Sequence, residues 1–438
     1  MKPLLLSGFG ININVDGREL VIHKHQTQEK IEFYPHQIPY DNFIIDGYYG
    51  NISFEALRWL SKHGITLSML NWNGNLLSVT LPSGPISGRL KIKQYKNYND
   101  NLKRYDIAFK IIEAKIKKSE EFLIRLADYY KELQKDEIIE VFKKEFKNYK
   151  SVKNNVSNPK KSNNFLNLNA KITLSNNDNL KIGKTYHNDF KNRLNTIMTF
   201  EGRIADYYWK TLSKVFNKLY PEFNFKSRKN KSYSQGMNAS DYVNTLLNYG
   251  YAILESVIRK DINVIGLDPD IGFLHEINPS KQPLVYDLQE LYRWLIDLSV
   301  IQVLEEKKLK KSDFIITENY HIRLRESAAR QLLEKITLNF NKRTEFRGKM
   351  HTYDNILLEN IRNLAKYIEN NERTLEFDIP KVELSRNDNT ETRDNIMSIT
   401  PEERKKLDIN KSTLWYRQKA IKEGKKIKIY GKVLGKIK

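Results

Sequence analysis

One imidazole and three carboxylates are the side chains whose types and spacing admit chemistry. His275 follows Gly272-Phe273-Leu274 in a turn-rich loop that also holds Gly266, Asp268, Pro269 and Asp270. Asp287 and Glu290 come next, in a segment that opens as a helix near Pro283. Their i,i+3 spacing places both carboxylates on one helix face. Glu201 lies upstream inside another helical pattern, beside Gly202, whose missing side chain lets a backbone or a phosphate come close. Taken singly, each of these residues is more often structural or solvated. Together they describe a site of one imidazole and two or three carboxylates, which suits Mn²⁺, and Mg²⁺ less ideally, rather than a structural zinc. Such an ion polarises a phosphodiester and lowers the pKa of a bound hydroxyl or water.

The elements that must position these residues are legible from periodicity. Val243, Leu246, Leu247, Tyr251 and Leu254 mark a helix that leads into the His275 loop. Asn192 to Leu219 is a second amphipathic helix and carries Glu201. Residues 1–85 read as a β-rich domain of short strands, with Asp16-Gly17 as a hairpin turn and Ser53 capping a short helix. Pro82, Gly84, Pro85 and Gly88 mark a linker. Residues 86–380 are mainly helical, with an apolar stripe through Tyr105, Ala108, Ile111, Ile112 and Ile116, a short strand at Phe314–Thr317, and helices at Leu324–Phe340 and His351–Asn371. Residues 150–188, crowded with Asn, Ser and Lys, read as a flexible insertion. After a linker at Ser385–Arg393, residues 395–438 form a basic tail. Its expected course is a helix from Pro401 to Leu407, a turn, and a second helix from Ser412 or Thr413 to Ile421, which is helix–turn–helix spacing. The fold class is therefore α+β: a small β-rich N-terminal domain, a larger mainly α-helical domain, and a C-terminal helix–turn–helix-like unit.

Composition narrows the chemistry. Across 438 residues, 74 Lys and Arg exceed 53 Asp and Glu, for a net charge of +21, which favours a polyanionic partner, with nucleic acid ahead of membrane. The chain has 0 Cys, which excludes disulfides, zinc–thiolate sites, cysteine-ligated clusters and a cysteine nucleophile. There is no Gly-rich phosphate loop ending in Lys-Ser or Lys-Thr, and no nucleophile elbow of the Gly-x-Ser-x-Gly kind. No apolar run reaches the roughly 18 residues of a membrane span. The apolar Leu4–Leu6 patch reads as a first strand rather than a signal peptide, so a cytoplasmic protein is expected.

Five short pieces carry a resemblance. They are Phe200-Glu201-Gly202, Asn248-Tyr249-Gly250-Tyr251, Gly266-Leu267-Asp268-Pro269, Gly272-Phe273-Leu274-His275 and Leu284-Val285-Tyr286-Asp287-Leu288. In this order they resemble the CRISPR-associated spacer-integrase family and its transposon-borne branch, the casposases. The resemblance covers most of residues 1–340. It implies that Glu201, His275 and Glu290 hold the divalent metal and are catalytic, with Asp287 supporting them from behind. Some relatives have Asp where this chain has Glu290. It further implies a homodimer formed through the β-rich domain, a higher oligomer on DNA, and attack of a DNA 3′-hydroxyl on a target phosphodiester.

The basic tail looks like the casposase branch, so transposon integration is expected ahead of CRISPR adaptation, and both ahead of a non-catalytic DNA-binding regulator that works through the tail. A small CRISPR adaptation partner protein belongs only to the second reading. Lys411, Ser412, Thr413, Tyr416 and Arg417 sit on or just before the second tail helix, where base or phosphate contacts are made. Arg203, Lys231 and Arg323 are further candidate phosphate contacts. If double-stranded DNA is the partner, affinity falls steeply with salt because phosphate neutralisation releases counterions, by roughly a thousandfold between about 50 and about 200 mM. A fluorescence-anisotropy salt series measures this, and a flat response contradicts it.

Overall fold

The structure is a computed structural model. It describes the chain apart from Tyr48, Trp72, Ser83, Pro85, Ile86, Ser280, Glu383 and residues 158–175, 229–240, 318–320, 385–403, 405–409 and 423–438; for residues 150–193, Thr413, Arg417 and residues 420–422 the side chains are also outside the description. The chain divides into two units, Met1–Lys381 and Val382–Lys438.

The first unit begins with strands because β-branched and aromatic residues alternate there with polar ones. β1 (Pro3–Ser7), β5 (Asn42–Asp46), β7 (Thr66–Leu70) and β8 (Leu76–Thr80) form one sheet in the order β1-β5-β7-β8. β2 (Ile11–Asp16), β3 (Glu19–Lys24), β4 (Glu29–Phe33) and β6 (Gly50–Ile52) form a second, in the order β4-β3-β2-β6. The β2–β3 hairpin turns at Asp16-Gly17, where Gly17 has φ 59, a left-handed conformation that costs glycine little. Ser53 caps α1 (Phe54–Lys62) by accepting from the Ala56 N–H at 3.1 Å. Leu6, Ile13, Ile22, Phe43, Trp59 and Leu60 make the core of this strand-rich region.

A mainly helical region follows: α2 (Gly88–Asn99), α3 (Asn101–Ala127), α4 (Lys135–Ser157), α5 (Asn176–Leu219), α6 (Tyr242–Ile265), α7 (Pro283–Gln289), α8 (Arg293–Glu305), α9 (Glu326–Phe340) and α10 (Tyr353–Ile368). α6 is its central element. Asp241 caps it by accepting from the Asn244 N–H at 2.7 Å, and Gly266 ends it at φ 87. Most of its surface is buried, so its apolar residues run round the helix instead of along one stripe. A Cβ at Gly250 would lie 2.4 Å from Ile296 Cγ2, so α6 and α8 cross closely at that residue. Two short hairpins complete the unit: β9 (Phe314–Ile316) with β10 (Ile322–Leu324), and β11 (Arg343–Phe346) with β12 (Lys349–Thr352).

The strand-rich and helical regions are joined through buried polar groups. Asp46 on β5 accepts from Arg323 Nη2 at 3.2 Å and from the Tyr249 hydroxyl at 3.3 Å. Burial raises the Asp46 pKa, against the pull of Arg323. Arg323, expected on a phosphate, thus spends its charge on an internal carboxylate.

Residues 150–188 differ from the loop expected for them. α4 runs on to Ser157 and α5 begins at Asn176, so both ends of the segment are helical. Asn and Ser are weak helix formers, but a helix already nucleated on packed turns extends through them. Residues 158–175 lie outside the described part. In the second unit, α11 (Lys411–Lys422) is the helix expected from Ser412 or Thr413, and Asn410 caps it by accepting from the Ser412 N–H at 3.1 Å. The preceding helix expected at Pro401–Leu407 lies outside the described residues except for Arg404, which is helical. Among the described residues no helix is long and apolar enough to cross a membrane.

One buried acid on α6 sets a pH dependence. Burial raises Asp261 from 3.8 to about 8, Asp354 and Asp41 add to that, and Lys260 opposes it. Its Oδ2 is buried and without a hydrogen-bond partner. The folded chain therefore keeps a proton that the unfolded chain loses above 3.8, and stability falls as pH rises from there to about 8. Asp261→Asn should raise the melting temperature near pH 7.5 and flatten the slope; thermal melts across pH measure both.

Candidate metal centre and the basic cleft beside it

The His275 loop is held by one carboxylate. Asp287, buried on α7, accepts the backbone N–H groups of Phe273 at 2.5 Å, Leu274 at 3.0 Å and His275 at 3.0 Å. Its Oδ1 also lies 2.7 Å from His275 Nδ1. A Cβ at Gly272 would stand 2.6 Å from Pro283 and 2.9 Å from Asp287 Oδ2, so glycine is what lets the loop reach the helix end. The Leu284 N–H donates to the Pro269 carbonyl at 3.1 Å, which pins the front of the loop. With Nδ1–H given to Asp287, Nε2 of the neutral ring is the acceptor nitrogen, the arrangement by which carboxylates orient metal-binding histidines. Burial disfavours the charged imidazole, but the Asp287 hydrogen bond and the Asp287 and Glu290 charges outweigh it and raise the His275 pKa.

Glu290 terminates α7 as its C-cap residue rather than lying within the helix. It is buried, with Oε1 3.1 Å from Arg293 Nη1 and Oε2 2.5 Å from Lys115 Nζ. Burial opposes its charge, yet Arg293 and Lys115 hold its pKa at about 2. Glu201 on α5 reaches the same Lys115 ammonium. Lys115 comes from α3, so three helices converge on one cation. Burial works against that ammonium as well, and the two glutamates raise its pKa regardless. Gly202 faces open space and admits no close neighbour within 4 Å.

The structure thus brings Glu201 and Glu290 together on Lys115 and sets His275 within electrostatic reach of Glu290. Among the described residues, no three His, Asp or Glu side chains close into a finished ligand set. The donor chemistry nevertheless fits a hard divalent ion: two carboxylates already share a cation, and an oriented imidazole lies within electrostatic reach of one of them. Glu290 Oε2 meets Lys115 as an ion contact without a well-aligned hydrogen bond. A non-directional cation would satisfy it equally.

Two cavities adjoin the centre and share Arg293. The smaller, about 50 Å³, is lined by Lys115, Glu201, Glu290 and Arg293. The larger, about 680 Å³, is lined by His275, Arg228, Arg259, Lys281 and Arg293. Arg228 is aimed by Asn244 at 2.5 Å and Asn248 at 2.7 Å. Arg228 and Arg293 lie 5.1 and 5.2 Å from the Tyr251 ring, whose hydroxyl donates to buried Asp297 at 2.5 Å.

Lys115, Arg228 and Arg293 were not read from sequence. Arg293 had a signal, since it stands i+3 from Glu290; Lys115 had none, being one lysine among many on α3. Of the other expected contacts, Arg203 pairs with Glu145 at 2.9 Å and lies over Phe200, and Lys231 lies outside the described residues. Lys411, Ser412 and Tyr416 are exposed on α11, whereas the side chains of Thr413 and Arg417 lie outside the description.

Residues 4–337 match the family described as CRISPR associated protein Cas1. A CRISPR-associated endonuclease Cas1 of Archaeoglobus fulgidus is 25% identical over 374 residues, 84% of this chain and 97% of that protein. A solved casposase bound to integration product is 34% identical, with a TM-score of 0.70, over 91% of this chain and 99% of the other. A Cas1 protein from Thermotoga maritima shares the fold at 16% identity, with a TM-score of 0.62 over 86% of this chain and 100% of its own.

The Asp287–His275 contact has a measurable sign. A raised histidine pKa contributes stability below 6.5 that is lost as pH rises through the folded value, whereas neutral imidazole, the metal-binding form, is gained over the same rise. Asp287→Asn should lower the His275 midpoint in an NMR titration and cost about 2 kcal/mol in urea unfolding, as an anionic acceptor of three backbone donors is lost. An unchanged midpoint would contradict the assignment.

Proposed function

The chain belongs to the CRISPR-associated Cas1 family, and from that premise we propose that it is a divalent-metal-dependent DNA integrase and endonuclease, acting as a casposase. In this reading Glu201, His275 and Glu290 hold Mn²⁺ or Mg²⁺. The observation that supports it most is the gathering of Glu201 and Glu290 on one half-buried cation, Lys115, with the His275 ring fixed by Asp287 within electrostatic reach of Glu290. When bound, the ion supplies Lewis acidity at the reacting phosphodiester.

The protein's own side chains do the rest. Arg228, Lys281 and Arg293 line a basic cleft that takes a DNA backbone and brings its end to His275. The donor 3′-hydroxyl oxygen forms a bond to a target phosphorus while the target's P–O3′ bond breaks and that oxygen leaves. One phosphodiester replaces another, so no nucleotide cofactor is needed. Asp287 keeps the His275 ring from turning, which preserves the geometry on which in-line attack depends. Glu290, at about 2, and Arg293 keep a charged site under burial at any physiological pH.

Casposase activity is favoured by the 34% identity to a casposase over nearly the whole chain, and the exposure of Lys411, Ser412 and Tyr416 on the tail helix is consistent with DNA contacts there. The 25% identity to the Archaeoglobus fulgidus protein, across 97% of its length, supports the alternative of spacer insertion with a small partner protein. Under either reading the protein acts on double-stranded DNA as a homodimer or larger assembly.

The test is joining of a short 3′-hydroxyl duplex to supercoiled plasmid with Mn²⁺. The chain alone should join the ends, and His275→Ala should reduce product by about 100-fold or more while DNA binding persists. Normal joining by His275→Ala would overturn the site, and an absolute need for a second protein would move the assignment to adaptation.

A further inference from the structure

The Glu201–Glu290 site is already charge-balanced. Two carboxylates face two cations, the Lys115 ammonium and the Arg293 guanidinium; Glu290 is buried, Glu201 and Lys115 are half-buried, and Arg293 is 36% exposed. Adding a divalent ion to such a set leaves excess positive charge in a partly shielded region, where like charges at contact repel more strongly than in open water. One resident cation has to give way.

The two are not equally fixed. Arg293 lies over the Tyr251 ring at 5.2 Å and pairs with Glu290 from the start of the next helix. Lys115 reaches the carboxylates on a flexible four-carbon stem from α3, a different element from either glutamate. Its hydrogen bond goes to Glu201, and it meets Glu290 Oε2 as an ion contact. The cavity of about 50 Å³ beside it, bordered by Ser119, gives the ammonium room to withdraw. Lysine also touches both of the carboxylates that a shared ion would bridge, so the two cations compete for the same oxygens.

Resting on the metal-centre reading above, we propose that Lys115 is a tethered counter-cation: it holds the ion's position between Glu201 and Glu290 and must leave for a divalent ion to bind. It is a positioning residue, which screens the two carboxylates from one another's charge and makes metal uptake conditional. Removing its charge should strengthen metal binding, the opposite of what removing a ligand does.

Mn²⁺ titration followed by electron paramagnetic resonance, on the full chain without DNA, separates these effects. Lys115→Met should bind Mn²⁺ about tenfold more tightly than wild type, as one repelling charge is removed. Lys115→Arg should bind no more tightly than wild type, and Glu290→Gln should bind more weakly. Equal or weaker binding by Lys115→Met, with Glu290→Gln still weakened, overturns the counter-cation and leaves the metal centre standing. No effect of Glu290→Gln removes the metal centre and the proposal with it. Should Lys115→Met not fold, acylation of wild-type lysines read by peptide mass spectrometry decides: Lys115 labelling should rise severalfold on Mn²⁺ saturation, and unchanged labelling overturns the proposal.

Discussion

One carboxylate organises the centre. Asp287 is buried, and it satisfies three successive backbone N–H groups and one imidazole nitrogen at once. The Gly272–His275 segment buries Phe273 and Leu274, and its Phe273 carbonyl accepts from Arg104 Nε at 3.1 Å. Charge-assisted bonds to Asp287 define both its path and the direction of the His275 ring. The neighbouring features follow from that anchor. Gly272 must lack a side chain so that the loop can come down on Pro283 and Asp287. α7 must be short and start with proline, because its last turn delivers Glu290 towards α3 and α5.

A second constraint is the cost of burying charge. Buried Glu290 and Asp297 and the half-buried Lys115 and Arg293 gather where α3, α5, α6 and α8 meet, and each is paired. Asp297 accepts from the Tyr208 and Tyr251 hydroxyls at 2.6 and 2.5 Å, and burial still raises it to about 6. Such networks contribute little net stability, but breaking one member is expensive. That accounts for why the helices around the centre are packed with aromatic and aliphatic residues rather than held by surface ion pairs.

Much of this was legible in the sequence, and the gaps have physical reasons. The helix marked by Val243 to Leu254, the Ser53 cap, the Asp16-Gly17 turn and the turn-rich loop ending at His275 follow from local rules, and all five family pieces lie where the chain must do something specific. Their reasons were not legible. In Asn248-Tyr249-Gly250-Tyr251, Asn248 aims Arg228, Tyr249 reaches Asp46, Gly250 admits Ile296 and Tyr251 binds Asp297. Four adjacent residues serve four distant partners, and no period or spacing encodes that. Lys115 was hidden for the same reason, since its partner Glu201 is 86 residues away. The β11–β12 hairpin was missed because its strands are four residues each and turn at Arg347-Gly348, with φ of 52 and 77 and little alternation to announce it. Arg323 was expected on a phosphate from its charge alone, and its pairing with Asp46, 277 residues away, is a contact that no local pattern announces.

The central claim is that Glu201, His275 and Glu290, carried by three separate segments, converge on a single divalent ion. Anomalous diffraction from crystals soaked in Mn²⁺ tests it most directly. One strong peak is expected within coordination distance of Glu201, His275 Nε2 and Glu290, with the Lys115 ammonium displaced from between the two carboxylates. A peak on other residues, or Lys115 still bridging Glu201 and Glu290 in fully soaked crystals, would contradict it.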